Sequence, residues 1–309
     1  MLHVRLTAPS SLCSRVVERI ETDPGVVNVV VVPGVVRSCD GDLVMFDLAR
    51  EGANRVLDDL RRLDVPRLGS LVIEESQTVL SDAATDAERA VPGSPADAVI
   101  WDAVEQDACR NATLTWTFVS FMVLATLIAS IGRYLDQPIL IIGAMVVGPE
   151  FGPLAAVCFG LARGRWRLIG RAVRTLAAAM GVAAAVAWLL WAVASLLGAV
   201  DEVAATSGDL TEFIVAPDVW SLVVAMLAGV AGVLSLTAAK SSALVGVFIS
   251  VTTIPAVGTF ALTLAVGDLH EAASALAQLA INLAGIVVAG TITLAVQATL
   301  WRHLQSPDR

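Results

Sequence analysis

Glu150 is the one carboxylate within an apolar run spanning residues 138–161, and Gly148, Pro149, Gly152 and Pro153 crowd around it in "IIGAMVVGPEFGP" (residues 141–153). A proline has no backbone N–H, so a helix must kink or unwind at Pro149 and Pro153. Backbone freed in this way is tolerated at membrane depth only where protein buries it or a wet cavity lines it. An ionised carboxylate at such a depth costs roughly 3 kcal/mol or more unless it is paired or hydrated. Two readings are open. Either Glu150 faces an interior cavity, where it binds a cation or carries a proton, or it sits at a re-entrant tip wetted by bulk water. Gly143 adds a further interruption to the same segment.

A second group of polar residues lies about a hundred positions on. Lys240 is the only lysine in the chain. It stands beside Ser241 in "TAAKSSA" (237–243), either as a compact titratable ammonium or as an ordinary basic flank of a membrane segment. In "SVTTIPAVG" (250–258), Ser250, Thr252 and Thr253 precede Pro255. Hydroxyls there can satisfy carbonyls freed by the proline or coordinate a solute. Gln278 and Asn282 are four apart and share a helix face, where they bond to a neighbouring helix or line a cavity. Arg133 and Asp136 flank a turn before Pro138 and are expected to pair locally. The candidate substrate- or ion-binding set is therefore Gly143, Gly148, Pro149, Glu150, Gly152, Pro153, Lys240, Ser241, Ser250, Thr252, Thr253, Pro255 and Asn282. No Ser/His/Asp set or paired catalytic carboxylates appear, so no enzyme is expected. Four scattered cysteines and three scattered histidines give no metal-ligand spacing, and no metal or cofactor is expected.

These residues are positioned by a strongly apolar frame. The chain has 309 residues, 56% of them hydrophobic, with a mean hydropathy of +0.76. A soluble domain is nearer 45–50% apolar, so an integral membrane protein is expected. Six apolar segments follow residue 112, at roughly 112–132, 138–161, 172–199, 218–238, 243–266 and 274–300. Each approaches or exceeds the ~20 residues a helix needs to cross a bilayer. With the N-terminus inside, Arg110, Arg163, Arg165, Arg167, Arg171, Arg174, Lys240, Arg302 and Arg309 fall on the cytoplasmic side and Arg133 outside. The positive-inside rule therefore predicts both termini in the cytoplasm and location in the plasma (cell inner) membrane. The N-terminal "MLHVRLTAPS" lacks a basic stretch followed by an apolar one, and no cleavable signal is expected. Three segments per half force an inverted 3+3 repeat. Segments 2 and 5 are the most Gly/Pro-interrupted of each half, the latter through Gly246, Pro255 and Gly258. Paired broken segments in corresponding positions point to a substrate site at mid-membrane. Gly285, Ala289 and Gly290 in segment six read as a close helix-packing stripe.

Residues 1–111 hold most of the charge, 11 arginines against 19 acidic residues. Such a balance argues against a nucleic-acid partner. Alternation in "LHVRLTA" marks a strand, followed by a helix capped by Ser10 or Ser11, with Leu12, Val16, Val17 and Ile20 on its apolar face. "DPG" (23–25) breaks that helix. "VNVVVV" (27–32) is a strand and "PG" (33–34) a turn. "LVMFDLA" (43–49), a helix over 52–63 and "GSLVIEE" (69–75) complete a β-α-β-β-α-β order, the ferredoxin-like split motif. Residues 76–94 read as a linker. A helix starting at Ser94-Pro95, with Val99, Ile100, Trp101 and Val104 apolar, is expected to lie along the membrane face.

"IGAMVVGPEFGP" (142–153), "TAAKSSALVGVFISVTTIP" (237–255) and "AINLAGIVVAGTITL" (280–294) occur in order. Together they resemble the uncharacterised hydrophobic membrane-protein family called domain of unknown function 389. The resemblance covers about residues 112–300 and implies the membrane fold; that family name carries no activity. In that family the first block usually reads Ser-Pro-Leu where this chain has Gly148-Pro149-Glu150, and the proline repeat after Pro255 is replaced by Ala256. If Glu150 is special to this chain, a family-wide proton-coupling role does not follow from it.

The expected organisation is a ferredoxin-like domain (1–75), a linker with an amphipathic juxtamembrane helix (76–111), a six-segment α-helical membrane domain (112–301) and a tail (302–309). The expected function is transport or channel-like passage of an ion or small solute. The cytoplasmic domain would regulate it or build a homo-oligomer in membrane lipid. The alternatives are a non-transporting membrane scaffold or sensor, or a lipid-binding membrane protein.

Overall fold

The computed structural model describes residues 1–37, 40–76, 79–94, 98–206, 208, 210–211, 219–237 and 253–305. They form two compact units, one built from Met1–Val104 and one from the helices between Glu105 and Trp301.

In the first unit, β1 (Leu2–Pro9), β2 (Val26–Val36), β3 (Gly41–Leu48) and β4 (Ser70–Glu75) form one antiparallel sheet in the order β2-β3-β1-β4. Helix α1 (Ser10–Ile20) joins β1 to β2, and α2 (Ala53–Arg62) with α3 (Val65–Leu68) joins β3 to β4. This strand order belongs to the split βαβ motif. Strict alternation places Leu2, Val4 and Leu6 of β1 against Val44, Phe46 and Leu48 of β3 in one buried core, which the apolar stripes of α1 and α2 close.

Several local expectations are corrected here. The hydroxyls of Ser10 and Ser11 do not cap α1; Pro9 holds the cap position, and Ser10 Oγ instead donates to Asp42 at 2.8 Å. Pro33-Gly34 does not end a strand. Gly34 has φ +66° inside β2, where the register against β3 shifts. A bulge and a tight turn make the same demand for positive φ, and the bulge holds it here. Within the stretch expected as a linker, α4 (Asp82–Ala90) forms, its first turn capped by Ser81 Oγ accepting from Ala84 N.

The helix expected from Ser94-Pro95 begins instead at Trp101, as α5 (Trp101–Asn111). Val99 and Ile100 are buried, and Ile100 joins the core of the sheet. Asn54 holds this segment with its whole amide, donating to Val99 O at 2.7 Å and accepting from Trp101 N at 3.2 Å. The apolar stripe thus serves the sheet domain rather than a membrane face.

The second unit contains α6 (Trp116–Tyr134), α7 (Pro138–Val147), α8 (Phe151–Arg163), α9 (Trp166–Leu196), the short α10 (Glu202–Thr206), α11 (Val219–Thr237), α12 (Ile254–Val266) and α13 (Leu269–Gln305). Four of them, α6, α9, α11 and α13, are long and apolar enough to cross a membrane, and α7 with α8 makes a fifth span if the bent pair counts as one. The apolar flanks of these helices, among them Ile139, Val146, Leu189, Leu190, Leu227 and Ile292, face outward. Contiguous exposed apolar surface of this extent suits lipid rather than water. Inside, small residues let the helices meet. A Cβ on Gly229 of α11 would come within 2.5 Å of Ile286 O on α13, and one on Gly290 within 2.9 Å of Cys158 Sγ on α8. Gly285 similarly sits against Ala225, so the small-residue stripe of segment six is used for packing.

The helix frame has a regular spacing. Thr253 follows Glu150 by 103 residues. The same separation holds from the start of α8 to that of α12 and from the start of α9 to that of α13. Helices α8 and α12 have 13 residues each. Both 13-residue helices end on a left-handed glycine, Gly164 at φ +66° and Gly267 at φ +88°.

Candidate functional site

The apolar run 138–161 breaks at Gly148-Pro149-Glu150, where α7 and α8 diverge by 60°. Pro149 stands in the break itself. Pro153 does not break anything. It occupies the third position of α8, in a first turn whose N–H groups have no partner within the helix. Gly148 is needed because a Cβ there would lie 2.5 Å from Glu150 Oε2 and 2.9 Å from Ile254 Cγ1. Gly152 is similarly closed in by Asn111, whose Cβ would be 2.9 Å away. Gly143 lies on an exposed side of α7 with open space around it, apart from the break.

Glu150 holds the N-cap position of α8 but does not cap it. Its side chain is 0% exposed and turns to the start of α12, where Oε1 accepts from Thr253 Oγ1 at 2.8 Å. Thr253 is the N-cap residue of α12, and Pro255 sits buried in the first turn. A buried carboxylate therefore lies where two helices begin. The positive ends of both helix dipoles at this place favour a negative charge.

The sequence-predicted residues thus separate. Gly148, Pro149, Glu150, Thr253 and Pro255 are brought to one locus, with Gly152 and Pro153 in the adjoining turn of α8. Asn282 is buried on α13, one turn from buried Gln278. Lys240, Ser241, Ser250 and Thr252, with Gly246, lie outside the described residues.

Further buried polar groups lie on α6, α12 and α13, and of these Thr126, Ser130, Thr259 and Thr263 were not singled out by sequence reasoning. Gly258 packs on α6 so closely that a Cβ would sit 2.9 Å from Ser130 N and 3.0 Å from Thr126 O. The buried hydroxyls of Thr126 and Thr259 and the Oε1 of Gln278 have no hydrogen-bond partner among the described residues. Thr126 with Ser130, and Thr259 with Thr263, are hydroxyl pairs four apart on apolar helices, a spacing that would have marked a polar face.

Arg133 is placed differently from expectation. It does not pair with Asp136. Buried to 1% exposure, it forms an ion pair with Glu271 at 2.7 Å, and it donates to Thr211 Oγ1 at 2.8 Å and Thr206 O at 3.3 Å. Asp136, at φ +48°, turns its carboxylate to accept from Thr211 Oγ1 at 2.8 Å. One guanidinium thus ties the end of α6 to the stretch after α9 and to the first turn of α13.

The apolar helices and the broken pair define a polytopic protein of the membrane-spanning type. Residues 145–288, from the end of α7 into α13, match the family model described as domain of unknown function (DUF389). An uncharacterized protein of Methanocaldococcus jannaschii is 27% identical over 182 residues, which cover 57% of this chain and 54% of the relative. The chain therefore spans about half the length of the curated relative it matches. No solved structure matches the chain.

Proposed function

We propose that the protein is a plasma-membrane transporter or channel-like protein that moves an ion or small solute through a site at the Glu150–Thr253 junction. The carrying observation is the fully buried carboxylate of Glu150, hydrogen-bonded to Thr253 where two 13-residue helices start. In an apolar helical unit a buried ionisable group is a functional candidate by default. The buried oxygens of Thr126, Thr259 and Gln278, which have no partner among the described residues, supply further acceptors suited to a cation or a proton-bearing solute.

In this reading, six membrane segments form an inverted 3+3 repeat. The recurrent 103-residue spacing supports it. So does the shared core, in which Met122, Ala125, Leu154 and Ala183 meet Ala225, Ala228, Val257 and Ile286 at that same spacing. The ties from Arg133 to the stretch after α9 and to the first turn of α13 suit six crossings. Three crossings per half make the halves opposite in direction, and the discontinuous helices of each meet at the site. Both termini would be cytoplasmic by the arginine distribution. The sheet domain would regulate flux or pair subunits. Its β2 lies at a sheet edge with Val30, Val31 and Val35 exposed, an edge of the kind that adds a strand from a second copy.

The test is flux by full-length protein in liposomes. Interior pH and Na⁺ or K⁺ dyes would follow imposed gradients of each ion. Glu150→Gln keeps the shape and is expected to reduce coupled flux by roughly tenfold or more while thermal stability is retained. Equal flux in the variant would remove Glu150 from the mechanism.

A further inference from the structure

A concave site lies away from Glu150, where α8 hands over to α9. A cavity of about 460 Å³ is lined by Glu105, Cys109, Gly164, Arg165, Trp166, Arg167, Leu168 and Arg171. Three guanidiniums face one carboxylate. Arg165 is held by Glu105 at 2.7 Å. Arg167 and Arg171, four apart on one face of α9, make no ion pair with any described residue. Trp166, 73% exposed, stands at the rim. The left-handed Gly164 makes the turn that brings the end of α8 under this basic face.

We infer that this cavity binds a phosphate-bearing anion, the headgroup phosphate of an anionic phospholipid being the source its surroundings fit. Arginine forks match phosphate oxygens, and a basic pocket between apolar helices collects anionic headgroups. Exposed tryptophan at a helix end is the ordinary companion of the lipid interface. The amides of the first turn of α9 add potential of the same sign. Glu105 tunes the site. Its carboxylate occupies Arg165 and opposes a second negative charge. The arrangement has no equivalent in the other half of the helical unit. There, at the 103-residue spacing, Asp268, His270 and Ser274 stand for Arg165, Arg167 and Arg171.

The experiment titrates full-length protein in lipid-free detergent with phosphatidylglycerol, with phosphatidylcholine of the same chains, and with inorganic phosphate and pyrophosphate. Thermal unfolding and native mass spectrometry read out binding. Phosphatidylglycerol is expected to raise the unfolding temperature, with R167Q/R171Q weakening binding by about tenfold or more. R167K/R171K should retain part of it, because the charge remains but the fork is lost. R174Q, outside the cavity lining, should match the parent. E105Q should bind about twofold tighter or better, since it releases Arg165, a gain that mere loss of fold cannot produce. If pyrophosphate stabilises as strongly as the lipid, the phosphate chemistry stands and the natural source is a soluble phosphate compound. Equal stabilisation by phosphatidylcholine, or unchanged lipid binding in R167Q/R171Q, overturns the inference.

Discussion

The stretches 116–196 and 219–300 share the starts of α8 with α12 and of α9 with α13 at one spacing, and several core positions, yet differ in the side chains that carry charge. Glu150 occupies the N-cap position of α8, and Thr253 stands in the corresponding place before α12. Buried Ala179 corresponds to Asn282, and Thr175 to Gln278. The turn after α8 is Gly164-Arg165, whereas the turn after α12 is Gly267-Asp268. Helix starts and several core positions are therefore common to both, while charge is particular to each. An inverted pair would require this, because equivalent turns then face opposite sides of a membrane and opposite rules of charge.

The largest expected effect breaks the fastening that joins the end of α6 to the first turn of α13. Arg133→Met removes the partner of Glu271 in a nearly dry place and leaves its carboxylate uncompensated. A loss of about 3–5 kcal/mol is expected. The double change Arg133→Met with Glu271→Leu should recover much of it, because replacing both partners by apolar groups is often neutral. Thermal unfolding in detergent separates the cases; a double variant no more stable than Arg133→Met alone would mean the pair is not the stabilising element.

Next comes the contact between α11 and α13. Gly229→Ala places a methyl against the backbone of Ile286 and is expected to destabilise by about 1–3 kcal/mol. Gly143→Ala, in open space on α7, should be neutral or slightly stabilising through helix propensity. Equal unfolding temperatures for the two variants would contradict the close crossing.

The comparison of the halves is sharpened by exchanging Glu150 and Thr253. E150T alone should lower liposome flux roughly tenfold, and E150T/T253E should restore most of it, since about 1.4 kcal/mol of interaction is moved rather than lost. Failure of the exchange to restore flux would mean that the two N-cap residues are neighbours without being equivalent.

How much of this was legible follows from the reach of each signal. The break at Gly148-Pro149 is a local backbone matter, and the sequence states it directly. Alternation of β1 and β3 likewise fixes which residues enter the sheet core. Partner choice was not legible. Three hydroxyls precede Pro255, and nothing local says that Thr253 reaches Glu150. For Arg133 the nearest carboxylate in sequence is Asp136, but the geometry selects Glu271, 138 residues away. Val99 and Ile100 make an apolar stripe that fits a membrane face or a domain core equally well, and only packing decides. The 103-residue spacing escaped notice because few like residues persist at it, Gly164 with Gly267 among them. What recurs is where α8 and α12 start and stop and where α9 and α13 start.

The smallest effect belongs to the sheet domain, where a buried acid sits without a membrane around it. Glu51, 2% exposed in the 3₁₀ turn Arg50–Gly52, has its pKa raised, chiefly by burial, with the charge of Glu88 adding and a backbone hydrogen bond opposing. A carboxyl whose folded pKa lies above its unfolded value stabilises the fold below the unfolded value, near 4.5. That contribution fades as pH rises through the folded value. Glu51→Gln should therefore leave the domain unchanged near pH 4.5 and make it more stable at pH 7. Amide exchange at Val4 and Phe46 of the intact protein reports this domain separately from the helices. Protection in the variant should exceed the parent's at pH 7, after correction for intrinsic exchange, and the gap should close toward pH 4.5. A gap that widened on acidification would reverse the sign and show that the charged form of Glu51 is the one the fold prefers.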